Sequence, residues 1–318
     1  DVWVLSLSGV PTWTQLHPTG AAPTARSYHV AVLDAPRRRI VMFGGTTGTA
    51  RLNDVWSLSL EGTPTWSELL PAGPLPLGRE QAGAVYDAIR QRLVIYGGGS
   101  FFSDVWSLPL SGDSLVWTKH ATSFVYGRRS FATAYDALYD RMVVFGGDGN
   151  NGPLSDVWSL SLANNTWTAW LNLLPVPTPR IRPAAIVDPA THRLVIFGGV
   201  ASQDRHLDDL WELSLDGTQE WSLKAPIPAQ NYSLVLDPVA REMLMFGGQV
   251  PAPAPVYAHG DLYAMRLGAG PRPWVSIESN GTRPSARFAH RAVWDAARDR
   301  MLMFGGQGEG SVPLGDVW

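Results

Sequence analysis

Five arginines recur at one place in this 318-residue chain: Arg26, Arg79, Arg128, Arg180 and Arg287, each eight residues before an aspartate. Gathered around one opening, they would form an anion-binding ring, because guanidinium forks bind carboxylates and phosphates bidentately. The same spacing allows a second chemistry, in which a carboxylate of its own repeat ties each arginine and the pair serves the fold. The sequence leaves both readings open. Candidate acid–base or ligand groups lie elsewhere, at Asp204, His206, Tyr257 and His259, and imidazole can act as acid, base or metal ligand. No His-x-His, His-Glu-x-x-His or acidic metal loop accompanies them. There is no cysteine, so thiolate nucleophiles, disulfides and Cys-ligated metals are excluded. The sequence therefore assigns no catalytic residue, metal or cofactor, and these positions are read as candidates for ligand binding.

Composition narrows the partners. The net charge is -3, which gives no reason to expect a nucleic acid, and no apolar run is long enough for a membrane span. The 32 glycines and 25 prolines fit many short strands joined by tight turns. No signal peptide is visible, the first residue is not methionine and the chain opens inside a repeat, so a larger parent chain is expected.

The elements that must position the candidates follow from repetition. Six apolar runs end in Gly-Gly, from "RRIVMFGG" at Gly45 to "DRMLMFGG" at Gly306, and read as a strand b that stops at the glycines. Six runs ending in aspartate, such as "SYHVAVLD" at Asp34, precede them as strand a. Five residues beyond that aspartate stands Arg39, Arg92, Arg141, Arg193 or Arg300, placed to pair across a hairpin, with Glu242 as the exception. "DVWSLSL" at 54–60 alternates as strand c, and strand d carries Trp13, Trp66, Trp117, Trp167, Trp221 or Trp274. Twelve of the fourteen tryptophans lie in the c or d register and are expected between blades; Trp170 is expected to open a loop, exposed.

Four-stranded units repeated radially are the blades of a β-propeller. The fold class read from the chain is all-β: a six-bladed propeller of four-stranded antiparallel blades, one domain over 1–318. Blades start near 27, 80, 129, 182, 230 and 288, and the last is completed by the N-terminal strands at 1–16. Asp316-Val317-Trp318 is a surplus start of strand c.

With Gly-Gly doublets, an aromatic on strand c and a tryptophan on strand d in every unit, the chain resembles the kelch-repeat β-propeller family, of the bacterial type. The family's Arg-x-x-His start is complete at Arg26–His29 and Arg287–His290. The resemblance implies a non-enzymatic, monomeric recognition module for a protein or carbohydrate ligand, in a secreted, periplasmic or cell-surface setting. The alternative it implies is a carbohydrate-active enzyme of the kelch sialic-acid-epimerase type, acting on an acidic sugar through the arginine-lined mouth. A copper radical oxidase of the galactose-oxidase type is excluded, because that chemistry requires cysteine.

A symmetric scaffold should place function where the symmetry breaks. The d–a loops and b–c loops share one face, and the b–c loops differ most. Blade two has "GSFFS" at 99–103, expected to expose Phe101 and Phe102. Blade four has "VASQDRHLD" at 200–208, and blade five has "QVPAPAPVYAHG" at 249–260. Ligand binding is expected on this face, nearest blades four to six.

Overall fold

The structure is a computed structural model describing residues 2–6, 11–112, 114–120, 125–171, 175–216, 219–226, 232–250, 257–258, 260–267 and 274–315. It is a six-bladed β-propeller whose sheets pair antiparallel in the order a–b–c–d. Blade one is Val30–Asp34, Arg39–Phe43, Val55–Ser59 and Trp66–Leu69. Blade two is Gly83–Asp87, Arg92–Tyr96, Val105–Pro109 and Thr118–His120. Blade three is Ala132–Asp136, Arg141–Gly149, Gly152–Ser161 and Trp167–Trp170. Blade four is Ala184–Asp188, Arg193–Val200, His206–Ser214 and Trp221–Pro226. Blade five is Ser233–Asp237, Glu242–Phe246, Leu262–Arg266 and Val275–Ser276.

Blade six joins both ends of the chain. Its a and b strands are Arg291–Asp295 and Arg300–Phe304; its c and d strands are Val2–Ser6 and Thr12–Leu16. Val4 pairs with Leu302 and Ser6 with Arg300, so the N-terminal strands complete the last blade. The surplus Asp316-Val317-Trp318 lies outside the described residues.

Packing forms two compact units, Asp1–Leu69 with Pro228–Trp318, and Leu70–Ile227. One device recurs in both: the aromatic before Gly-Gly meets the strand d tryptophan of the next blade. In the first unit Trp66 lies 5.4 Å edge-on to Phe304, and Trp13 lies 5.5 Å from Phe246. In the second, Trp167 lies 4.8 Å from Tyr96 and Trp221 lies 5.4 Å from Phe145. Edge-to-face pairs of this kind add about 0.5–1.5 kcal/mol to the burial of two large side chains.

Three sequence expectations change. Strand b does not stop at Gly-Gly in blades three and four. There it runs on through a bulge, between Phe145 and Gly147 and between Phe197 and Gly199, and pairs outward as a longer hairpin. Blade five adds a separate ribbon, Gln249–Val250 against Tyr257–Ala258. Trp170 is buried rather than exposed: it ends strand d, and its indole N–H donates to the Ser159 hydroxyl at 3.0 Å.

Candidate functional site

All five repeated arginines are buried, at 1% exposure or less. In blade one Arg26 donates from Nη1 and Nη2 to Asp54 at 2.5 and 2.7 Å, from Nη1 to the Gly44 carbonyl at 3.0 Å and from Nε to the Thr24 carbonyl at 3.0 Å. Arg79 holds Asp104 at 2.7 and 3.2 Å, and Arg128 holds Asp156 at 2.7 and 2.8 Å. Arg180 holds both oxygens of Asp209. Arg287 donates to the Gly305 and Ser285 carbonyls and to the Ser285 hydroxyl. The structural reading of the arginines is thus what the geometry shows in four blades, and the guanidiniums are not presented to solvent. Blade five has Ala229 at this position, outside the described residues.

The Asp-x-Trp tripeptide gains a second meaning here. Residues two apart on a strand share a face, so each strand c indole reaches back to its own aspartate. Trp56, Trp106, Trp158 and Trp211 donate to Asp54, Asp104, Asp156 and Asp209, each at 2.7 Å. Burial by itself would raise the pKa values of Asp54, Asp104 and Asp209. The hydrogen bonds from arginine and indole outweigh it and hold all three below the ordinary carboxylate value.

Two residues beyond each arginine the chain turns through the left-handed region, at Tyr28, Gln81, Ser130, Arg182 and Ala289. These turns are linked by backbone bonds. In the second unit Ser130 N–H donates to the Gln81 carbonyl at 3.0 Å, and Arg182 N–H to the Ser130 carbonyl at 2.6 Å. In the first, Tyr28 N–H meets the Ala289 carbonyl at 3.5 Å. In these five blades the backbone is constant and the side chains differ. Sequence reasoning missed these positions, although the signal was present: a varying residue at fixed distance from an unvarying arginine.

Phe101 and Phe102 are half-buried instead of fully exposed. Arg79 lies over the Phe102 ring at 4.6 Å and Arg129 over the Phe101 ring at 4.7 Å. Phe101 itself has φ +59, a costly conformation for an aromatic residue. Gly127 permits it, because a Cβ there would lie 1.7 Å from the Phe101 carbonyl oxygen. Next to Gly127 in the chain, Tyr126 is 78% exposed. On blade four, His206 is half-buried and its Nδ1 has no hydrogen-bond partner among the described residues. Burial lowers its pKa; Asp204 opposes the shift and Arg182 adds to it. Tyr257 sits on the blade-five ribbon opposite Val250; its side chain and all of His259 lie outside the described residues. Among the described residues no group of histidine and carboxylate side chains is arranged to hold a metal ion.

In blades two to four the a–b face is occupied by ties between blades. Arg90 bridges Asp87 and Asp140 at 3.0 and 2.7 Å. Arg92 and Arg141 pair with Asp87 and Asp136 across their own turns and reach the Leu162 and Leu215 carbonyls of the next blade. His192 touches Asp136 through Nε2 at 2.9 Å and Asp216 through Nδ1. Burial opposes the charge on His192, and the two carboxylates outweigh burial and raise its pKa.

Comparison with known proteins agrees with this architecture. Residues 62–232 match the family model described as the KLHDC2/KLHL20/DRC7 Kelch-repeats domain. Human host cell factor 2 is 28% identical over 269 residues, covering 73% of this chain and 32% of that protein. The Caenorhabditis elegans host cell factor homolog hcf-1 is 28% identical over 190 residues, covering 54% of this chain and 23% of that protein. The chain thus spans a third or less of the curated relatives it matches. The solved structure of YjhT superposes with a TM-score of 0.71 at 14% identity, covering 93% of this chain and 95% of that one, which shows the fold. No helix is long and apolar enough to cross a membrane among the described residues. The repeat, the blades and the family match agree: this chain belongs to the kelch-repeat family, and its propeller is consistent with a protein-interaction module.

Proposed function

We propose that the chain is a non-enzymatic recognition module that binds a protein or carbohydrate ligand on the b–c loop face. The observation that carries this reading is the inequality of the b–c connections on a repeated frame. Blade two has a tight aromatic turn, blades three and four extend bulged hairpins, and blade five adds a ribbon. Rigid frames with unequal loops supply shape selectivity at small ordering cost. On the opposite face the repeated charged groups of blades two to four are committed to ties between blades. An enzyme of the acidic-sugar type would work through Arg180 or Arg287, and both side chains are fully buried. A setting outside the cytoplasm, as part of a larger surface protein, belongs to the same proposal.

The absence of cysteine makes the test clean. Thr49→Cys places a single thiol at an exposed position in the blade-one b–c loop; Val239→Cys places one on the a–b turn of blade five, at a site 89% exposed. Each variant is coupled to a bulky maleimide and applied to peptide and glycan arrays. Ligands captured by the unmodified protein should be lost on labelling at 49 and kept on labelling at 239. The reverse pattern would overturn the assignment of the face.

A further inference from the structure

The repeated arginines are spent on carboxylates and carbonyls, yet another arginine opens strand a of blade six. Arg291 is the first residue of Arg291–Asp295, at the strand end that meets the d–a loop. It pairs in register with Phe304. The same place, opposite the strand b aromatic, holds Val30, Gly83, Ala132, Ala184 and Ser233 in the other blades. Five small or apolar residues are thus matched by one cation.

Arg291 is solvent-accessible, and its strand lies beside the strand a elements of blades five and one. Its Nε donates to the His29 carbonyl at 3.3 Å. Among the described residues no carboxylate pairs with it, in contrast to Arg26 and Arg180. The imidazoles of His29 and His290 are fully buried with pKa values pushed well down, by burial first and then by neighbouring arginines, Arg291 among them. An accessible guanidinium with one backbone acceptor and no carboxylate partner keeps its remaining N–H donors for an incoming anion.

We propose that Arg291 is the recognition cation of the b–c face and that it binds a carboxylate of the ligand. The inference rests on the recognition-module reading and adds the chemical class of the ligand. With Nε fixed on the His29 carbonyl, the two Nη groups remain for a bidentate carboxylate. A single guanidinium matches a single carboxylate in charge as well as in geometry. The carboxylate can belong to an acidic side chain or to an acidic sugar, and the probes separate these sources.

The experiment titrates glucuronate and N-acetylglutamate amide, with glucose and N-acetylglutamine amide as neutral controls, into wild type, Arg291→Gln and Arg291→Lys, followed by NMR. Saturable, salt-sensitive shifts are expected with at least one acid and with neither control. Arg291→Gln should weaken that binding at least tenfold, and Arg291→Lys should retain part of it. Arg291→Gln should also melt close to the wild-type temperature, because the guanidinium is exposed and the amide keeps a donor for His29. Equal affinity in wild type and Arg291→Gln would overturn the proposal. So would a lack of saturation by both acids in the wild type, or a lowered melting temperature with binding intact. Should Arg291→Gln fail to fold, Arg291→Lys decides: weaker affinity supports the assignment and unchanged affinity refutes it. Array binding that survives in Arg291→Gln but is lost on labelling at position 49 would sink Arg291 while leaving the recognition-module reading in place.

Discussion

Removing one carboxylate from the Arg–Asp–Trp tie should cost more than removing the tie as a whole. Consider Asp104→Ala in blade two. The Arg79 side chain is fully buried and that of Asp104 is 18% exposed, so solvent screens the pair little. The substitution leaves the guanidinium with the Gly97 and Leu77 carbonyls and no anion. It also removes the acceptor of the Trp106 indole N–H. Breaking a buried ion pair on one side costs about 3–5 kcal/mol. An orphaned neutral donor costs about 1–3 kcal/mol by itself, but the two losses share one carboxylate and are not summed. The expected loss for Asp104→Ala is therefore about 3–5 kcal/mol. The double variant Arg79→Met, Asp104→Leu removes both charges and fills the space, and such replacements are often neutral. It should recover most of the loss.

Urea denaturation of wild type, both single variants and the double variant at pH 7 measures this, with hydrogen exchange in blade two locating the opening. Acid gives an independent check. Because the Asp104 pKa is lowered, its contribution is complete above the unfolded carboxylate value near 3.8 and is lost as pH falls through the folded value. The gap between wild type and Asp104→Asn should close over that range. A cost below about 1 kcal/mol for Asp104→Ala, or a double variant no better than the worse single one, would refute the reasoning.

Deleting residues 1–16 removes strands c and d of blade six, including Leu5 and Trp13, which are buried. Melting should fall far more than for Trp13→Ala alone, itself expected to cost about 3–5 kcal/mol; an unchanged melting curve would contradict the shared blade. The histidines give opposite pH slopes. His29 and His290 have lowered pKa values, so their contribution is present above the unfolded value near 6.5 and is lost as pH falls below it. His192 is raised, so its contribution is complete below that value and fades as pH rises through the folded value. Melting curves from pH 5 to 8 should accordingly lose their acid limb in His29→Gln, His290→Gln and their alkaline fade in His192→Gln. Gly127→Ala should displace the Phe101 turn and cost about 1–3 kcal/mol by overpacking, read by melting and by loss of the Arg129–Phe101 contact in NMR.

What was legible in the sequence was what periodicity encodes. The a–b hairpin with Asp34 against Arg39, the strand d tryptophans and closure by the N-terminal strands follow from repeated spacing. The indole bond to aspartate was legible too, because Asp-x-Trp puts both side chains on one strand face; reading tryptophan as apolar bulk alone obscured its N–H. The extension of blades three and four past Gly-Gly was not legible. A bulge depends on whether the residues beyond it find partners, as Gly147 finds Leu154, and no local pattern announces that. Trp170 was misplaced because one tryptophan already accounted for strand d, whereas the Ser159 hydroxyl receives the second. The arginines were visible but not their burial, which depends on a carboxylate 25 to 29 residues away.

The internal pairing of the arginines carries a physical lesson about repeat scaffolds. A charge that recurs in each blade beside a recurring countercharge is one the scaffold can neutralise with itself, and Arg26, Arg79, Arg128 and Arg180 are neutralised so. Neutralised charge steers little and binds little, because a ligand would have to displace a preorganised carboxylate at bidentate distance. Charge available to a ligand must lack that internal partner, and in a repeat it stands where one blade departs from the rest. Arg291 meets both conditions: five blades have a small or apolar residue there, and no aspartate answers it among the described residues. The left-handed turns at Tyr28, Gln81, Ser130, Arg182 and Ala289 meet the second condition with constant backbone and changing side chains. Specificity on this face is therefore expected from the exceptions to the repeat, set on a backbone that the repeat holds rigid.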